Sequence, residues 1–244
     1  FEIAWGFPAY WIGKCPAAAF LNGQLYTWEN YEEGHSYFYD MGAIEPARKA
    51  YAEHNLYCWT MFSGGVATYS KKAVRTIDDL KGLKIRSTGV PADVLARAGA
   101  ATVYFPAAEL IPALETGACD AAHWGAVSAG WEMHFQEVTD YILMPYLAEV
   151  TCCEIFMNLD EWNALPDDLK WILNEVAIET GATNHSWFEL RDYIDMKAFE
   201  EEYGGKIVWM DEASVDKMRA YSVEVSREWG AKDKYADEME KILE

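Results

Sequence analysis

Basic side chains are scarce in this sequence: twenty lysines and arginines stand against forty aspartates and glutamates in 244 residues, a formal charge of −20 at pH 7. A chain this acidic repels nucleic acid and anionic lipid at long range and offers neither a basic stripe. Long apolar runs are also missing. The greasiest stretches, residues 141–146 and 155–159, are strand-sized and fall short of the roughly 20 residues that a helix needs to cross a bilayer. No CxxC pair or metal-ligand spacing links Cys15, Cys58, Cys119, Cys152 and Cys153. Each of these cysteines sits among apolar or aromatic neighbours and is expected as a buried thiol, although a long-range disulfide in an oxidising compartment stays open. The adjacent pair Cys152-Cys153 would alternate faces in an extended strand, which favours packing over bridging. Catalytic signatures are absent as well: there is no GxSxG, Walker loop, HExxH or GxGxxG, and His35, His54, His123, His134 and His185 are scattered. An enzyme is therefore not expected. The start has no initiator Met and no basic segment followed by an apolar one, so the sequence reads as beginning after processing or inside a longer whole.

What is present is material for a large core, with 51% hydrophobic and 15% aromatic residues. The first sixty residues are rich in aromatics, including Trp5, Phe7, Tyr10 and Trp11, and lead into a helical stretch near residues 43–55. Residues 56–62 are β-prone, Ser63-Gly64-Gly65 breaks them, and residues 66–69 form a second β-prone piece. From Thr76 onward strands alternate with helices. Strands are predicted over 83–86, 101–105 and 118–124, with helices over 92–98 and 108–116, each helix closed by a glycine. That alternation argues for an α/β sheet. A helix is expected after Trp124, to about Glu137, then extended segments over 141–146 and 150–158. A long helix starts at Pro166-Asp167-Asp168 and runs to about Tyr203, long enough to reach from one unit into another. Residues 206–210 form a strand, and 213–229 and 231–243 are amphipathic helices.

Open α/β sheets bind ligands beyond the carboxyl ends of their strands, beside helix N-termini that favour anions. Arg86 and His123-Trp124 stand at such ends. An anionic ligand meets an unfavourable field outside this acidic protein, so it needs a local positive group in a shielded pocket, and Arg86 is the candidate. Tyr69, Thr88 and Tyr146 are hydroxyls beside strand ends or hinge positions, and Trp5 and Tyr10 could face a cleft. For the three hydroxyls a purely structural role competes.

Three motifs carry a resemblance. Asp79-Leu80-Lys81-Gly82-Leu83-Lys84-Ile85-Arg86 is similar to the strand that opens the second lobe of the periplasmic receptors of TRAP transporters. Residues 111–122 resemble that family's helix-glycine-strand passage, and residues 156–169 its approach to the hinge-spanning helix. The resemblance implies an α/β, two-lobed periplasmic binding protein fold of the type II-like kind, with hinge strands and a long lobe-spanning helix. It implies lobe one over residues 1–64 and 147–190 and lobe two over 65–146 and 191–244, with the opening part of lobe one lying before residue 1. Its function would be capture of a small organic anion in the periplasm and delivery to TRAP permease membrane subunits. Some relatives pair through C-terminal helices, so a homodimer is a further implied partner.

By the same resemblance Arg86 would clamp a carboxylate, a task suited to a planar guanidinium that stays charged when desolvated. The branch that binds 2-oxo acids with a metal ion carries a glutamate where this chain has His123, and a glutamine near the bend where it has Gly65. A neutral imidazole is a poor ligand for sodium or calcium. The expectation is a site with no metal and no cofactor, His123 donating directly to the ligand and Trp124 forming an aromatic wall. Two other classes compete: a carbohydrate-binding platform built on the 11 tryptophans, and a hydrolytic enzyme using the abundant acids. Glu32-Glu33 and Glu200-Glu201-Glu202 read as solvated faces.

Overall fold

Two sheets divide the strands of the computed structural model, which describes residues 2–22 and 25–243. In chain order the strands are β1 (Ile3–Gly6), β2 (Leu56–Ser63), β3 (Thr68–Ser70), β4 (Lys84–Arg86), β5 (Ala101–Val103), β6 (Ala121–His123), β7 (Tyr141–Met144), β8 (Thr151–Asn158) and β9 (Lys206–Trp209). The helices begin with α1 (Ala18–Leu21), α2 (Tyr31–His35), α3 (Ile44–Ala52), α4 (Gly89–Arg97) and α5 (Ala107–Thr116). They continue with α6 (Val127–Glu132), α7 (Leu159–Ala164), α8 (Asp167–Tyr203), α9 (Glu212–Gly230) and α10 (Lys234–Leu243).

The first sheet runs β1-β8-β2 and is antiparallel, with β8 in the middle and Trp59 opposite Ile155. Its β-branched, aromatic and cysteine side chains pack against α3 and α8, and all five cysteines are buried free thiols. The second sheet runs β5-β4-β6-β3-β7-β9. Its heart is the unit β4-α4-β5-α5-β6, whose strands lie parallel and place their carboxyl ends together. These two units give the two-lobed fold.

Residues 64–67 and 145–150 connect the sheets, and α8 spans both. The helix is pinned where β2 ends: Asn184 Nδ2 donates to Phe62 O at 2.8 Å and His185 Nδ1 lies 2.9 Å from Ser63 O. From there it continues to pack on α6 and β9. Its buried residues Ala177, Gly181, His185, Asp192, Asp195 and Phe199 recur at three-, four- and seven-residue intervals, so one narrow stripe meets both lobes in turn. Gly204 at φ 70° closes the helix in the left-handed conformation that only glycine adopts without strain.

Three boundaries depart from the sequence reading. Helix α4 starts at Gly89, so Pro91 lies inside its first turn, where a missing N–H costs no hydrogen bond. The expected helix over 125–137 is interrupted at His134, whose φ of 61° separates α6 from a short 3₁₀ turn. Helix α10 starts at Lys234 rather than Ala231 and packs on α9, α3 and α1, burying Ala236 and Met239, and Tyr37 Oη donates to Met239 O at 2.9 Å. α9 stays against α4 of the second lobe through Met218, Val225 and Trp229. The C-terminal helices thus spend their largest apolar side chains within the chain. No helix among the described residues is long and apolar enough to cross a membrane.

Candidate functional site

A cavity of about 380 Å³ lies where residues from both sheets converge. One wall comes from the parallel strand ends of the second lobe: Arg86 and Thr88 after β4, His123 and Trp124 after β6. Arg86 sits opposite Ala122 in the β4–β6 ladder, one residue before His123, so the two strands end side by side. The opposite wall comes from residues 5–10 and from β2 and β8, with Trp5, Phe7, Tyr10, Met61 and Cys153. Asn184 and Phe188 of α8 close the side nearest the lobe connections.

Arg86 is only 5% exposed. Its Nη1 donates to His123 O at 3.1 Å, while Nε is buried without a partner. The guanidinium carbon stands 4.4 Å from the Trp124 ring centroid and 5.7 Å from that of Tyr104, so aromatic faces hold it in place. Among the described residues no carboxylate pairs with it. Burial pulls its pKa down from the usual value, and the Tyr10 hydroxyl acts in the opposite sense. An arginine remains charged under such pressure, so the cavity carries an uncompensated positive charge.

His123 is 6% exposed and also incomplete: Nδ1 lies 3.3 Å from Ser87 Oγ, and Nε2 is buried without a partner. Burial, then the neighbouring Arg86 charge, push its pKa down to about 3. The imidazole is neutral at physiological pH, and with Nδ1 accepting from the serine hydroxyl its Nε2–H is a spare donor. Thr88 precedes α4 and makes no capping bond with its side chain, leaving the first N–H groups of that helix close to the same wall.

Six of the eight residues singled out from the sequence therefore line one cavity: Arg86, His123, Trp124, Thr88, Trp5 and Tyr10. Tyr69 and Tyr146 lie outside its lining. The Tyr69 ring is fully buried against Gly130 and Phe135, and its hydroxyl donates to Val127 O at 2.7 Å. The Tyr146 ring presses on Gly65, where an added Cβ would come within 2.1 Å, and its hydroxyl donates to Asp192 Oδ2 at 3.3 Å. Sequence reasoning missed Met61, Thr151, Cys152, Cys153, Asn184 and Phe188. The one available signal was the spacing of Asn184 and Phe188, four apart on a single helix face.

The profile of the bacterial extracellular solute-binding proteins, family 7, matches residues 1–233. A monocarboxylate 2-oxoacid-binding periplasmic protein of Nostoc sp. is 29% identical over 177 residues, 71% of this chain. The chain spans only 48% of the length of that relative. A TRAP periplasmic solute-binding protein from Pseudoalteromonas atlantica, solved with sodium and pyruvate, superposes with a TM-score of 0.87 at 26% identity, covering 100% of this chain and 74% of the other. A counterpart from Colwellia psychrerythraea, solved with calcium and pyruvate, gives 0.89 at 25% identity, covering 100% and 75%.

Proposed function

The chain belongs to the bacterial extracellular solute-binding proteins of family 7, and from that premise we propose that it captures a small organic carboxylate in the periplasm and hands it unchanged to the membrane subunits of a TRAP-type permease. The observation that carries this reading is the buried guanidinium of Arg86, facing a cavity without a counter-ion among the described residues. Burying a charge and leaving it unpaired is costly, so its partner is expected from outside the chain. A carboxylate suits the planar donor set through paired N–H···O bonds. Once the lobes close, the aromatic walls exclude water and so strengthen the attraction against the acidic exterior.

The mechanism is closure around the ligand. Arg86 and His123 hold the anion on the second-lobe wall, while Trp5 and Tyr10 on the other wall are each 54% exposed and become covered as the lobes approach. A ligand that touches both walls selects the closed form by its extra contacts there. The connections at residues 64–67 and 145–150 absorb the rotation, with α8 as the continuous member. The reading needs no catalytic group: the ligand leaves as it arrived, and release follows reopening.

The Pseudoalteromonas and Colwellia proteins hold pyruvate together with sodium or calcium. The described cavity residues of this chain do not fit such an ion. Among the described residues no Asp or Glu lines the wall, and Arg86 is the only charged side chain there. Calcium takes six to eight oxygen ligands, several of them anionic, and here it would stand beside a fixed positive charge. No step of the mechanism is routed through a metal.

Titration of the protein with small carboxylates and with neutral sugars, read by tryptophan fluorescence, tests the function. Saturable changes with carboxylates alone are expected. Saturation by sugars alone would replace the reading with a carbohydrate-binding one, and turnover of an added acid would replace it with an enzyme.

A further inference from the structure

The walls of the cavity say more about its occupant than its charge. Arg86 is the only charged side chain among the described lining residues; Trp5, Phe7, Met61, Trp124 and Phe188 supply apolar surface, and Ser63, Thr151 and Asn184 are among the neutral polar groups. One cation can match one carboxylate. A second carboxylate would meet only neutral groups there, with no second cation to offset its loss of water. The room also matters. With the lobes as they stand, a three-carbon acid fills only a small part of about 380 Å³, a volume within the range of sites for much larger molecules, and a larger body leaves less space for closure to take up. An acid with an aryl or branched alkyl body covers those walls and gains from each apolar group it removes from solvent.

We propose that this cavity selects singly charged carboxylic acids with an apolar body larger than that of pyruvate, held by Arg86 without a metal ion. The inference rests on the receptor reading and narrows it: the acid group is positioned on the second-lobe strand ends, and the body lies toward residues 5–7 and Phe188. The neutral imidazole of His123 supplies a donor for an oxygen beside the carboxylate and adds no second positive charge. Selectivity against dicarboxylates then comes from the missing second cation, and selectivity for bulk comes from the walls.

The test is calorimetric titration of chelator-treated protein in sodium-free buffer with phenylpyruvate, phenylacetate, pyruvate and malonate, repeated with calcium and with sodium. Phenylpyruvate is expected to bind at least about 10-fold more tightly than pyruvate and malonate at least about 100-fold more weakly than phenylpyruvate, with cations changing neither ratio. Phenylacetate should fall nearer to phenylpyruvate than pyruvate does. Phe7, 38% exposed at the cavity rim, can be truncated without opening the core. Phe7→Ala should lower affinity for phenylpyruvate several-fold more than that for pyruvate. Equal or tighter binding of pyruvate or malonate, or binding of any acid only when calcium or sodium is added, would overturn the inference while leaving the receptor reading intact. Failure of every acid under every condition would overturn both.

Discussion

Arg86 and Glu154 are both buried charged residues on strands, one in each lobe, and the protein treats them in opposite ways. Glu154, fully buried in the centre of β8, accepts from Trp11 Nε1 at 2.5 Å and from the Tyr51 hydroxyl. Burial pushes its pKa up, and those two donors pull it back. The carboxyl ties residues 8–11 to the first sheet and so holds the aromatic wall of the cavity in place. Arg86 has one backbone acceptor and an orphaned Nε. A buried polar group satisfied from within the chain is part of the scaffold, whereas one left incomplete beside a cavity is prepared for something that arrives later.

The largest effect that could break this contrast is on binding. Arg86→Ala should weaken carboxylate affinity by at least about 100-fold, because the ligand charge would then be desolvated without a partner. Its melting temperature should stay level or rise, since the charge removed had no counter-ion. Calorimetry and thermal melts on the same preparation measure the two together. Glu154→Ala should do the reverse: stranding the buried Tyr51 hydroxyl and releasing the half-exposed Trp11 indole costs about 1–3 kcal/mol of stability in denaturant unfolding, with a smaller loss of affinity caused by loosening of residues 8–11.

Glu149 is an intermediate case and sharpens the contrast. Burial first, and the Glu189 charge as a smaller influence, push its pKa up to about 7, against a hydrogen bond from the backbone of Tyr146. Its folded pKa lies above the unfolded value, so the folded protein holds the proton more tightly and loses stability as pH rises from about 4.5 through 7. Glu149→Gln should therefore stabilise the protein at pH 8 by about 1–2 kcal/mol, discounted for its partial exposure, and the gain should vanish below pH 4.5. Unfolding curves at the two pH values decide it. The smallest effect is expected at Tyr69. Tyr69→Phe removes the bond to Val127 O and should cost about 1 kcal/mol of stability with unchanged affinity.

The two lobes also differed in how far their roles could be read from residues alone. Arg86 and His123 were legible because a short parallel strand followed by a helix fixes where its last side chain goes, whatever the rest of the chain does. Tyr69 and Tyr146 resembled them locally, but the fate of a hydroxyl depends on a partner far away in sequence. Val127 O and Asp192 claimed theirs. The contributions of β8 and α8 to the cavity were not legible for the same reason. Whether Thr151 to Cys153 faces the cleft depends on antiparallel register with β2, and Asn184 and Phe188 depend on where a 37-residue helix crosses the sheet. The helix α10 carries an amphipathic pattern that identifies its buried face without saying which helices receive it.

The central claim is that Arg86 is the charge that receives the ligand, and a crystal structure of the protein soaked with phenylpyruvate measures it directly. The account predicts a carboxylate whose two oxygens each lie about 2.8 Å from guanidinium nitrogens of Arg86, with the phenyl ring against Phe7 and Phe188. An acid bound elsewhere on the molecule, with Arg86 still lacking a partner, would contradict it.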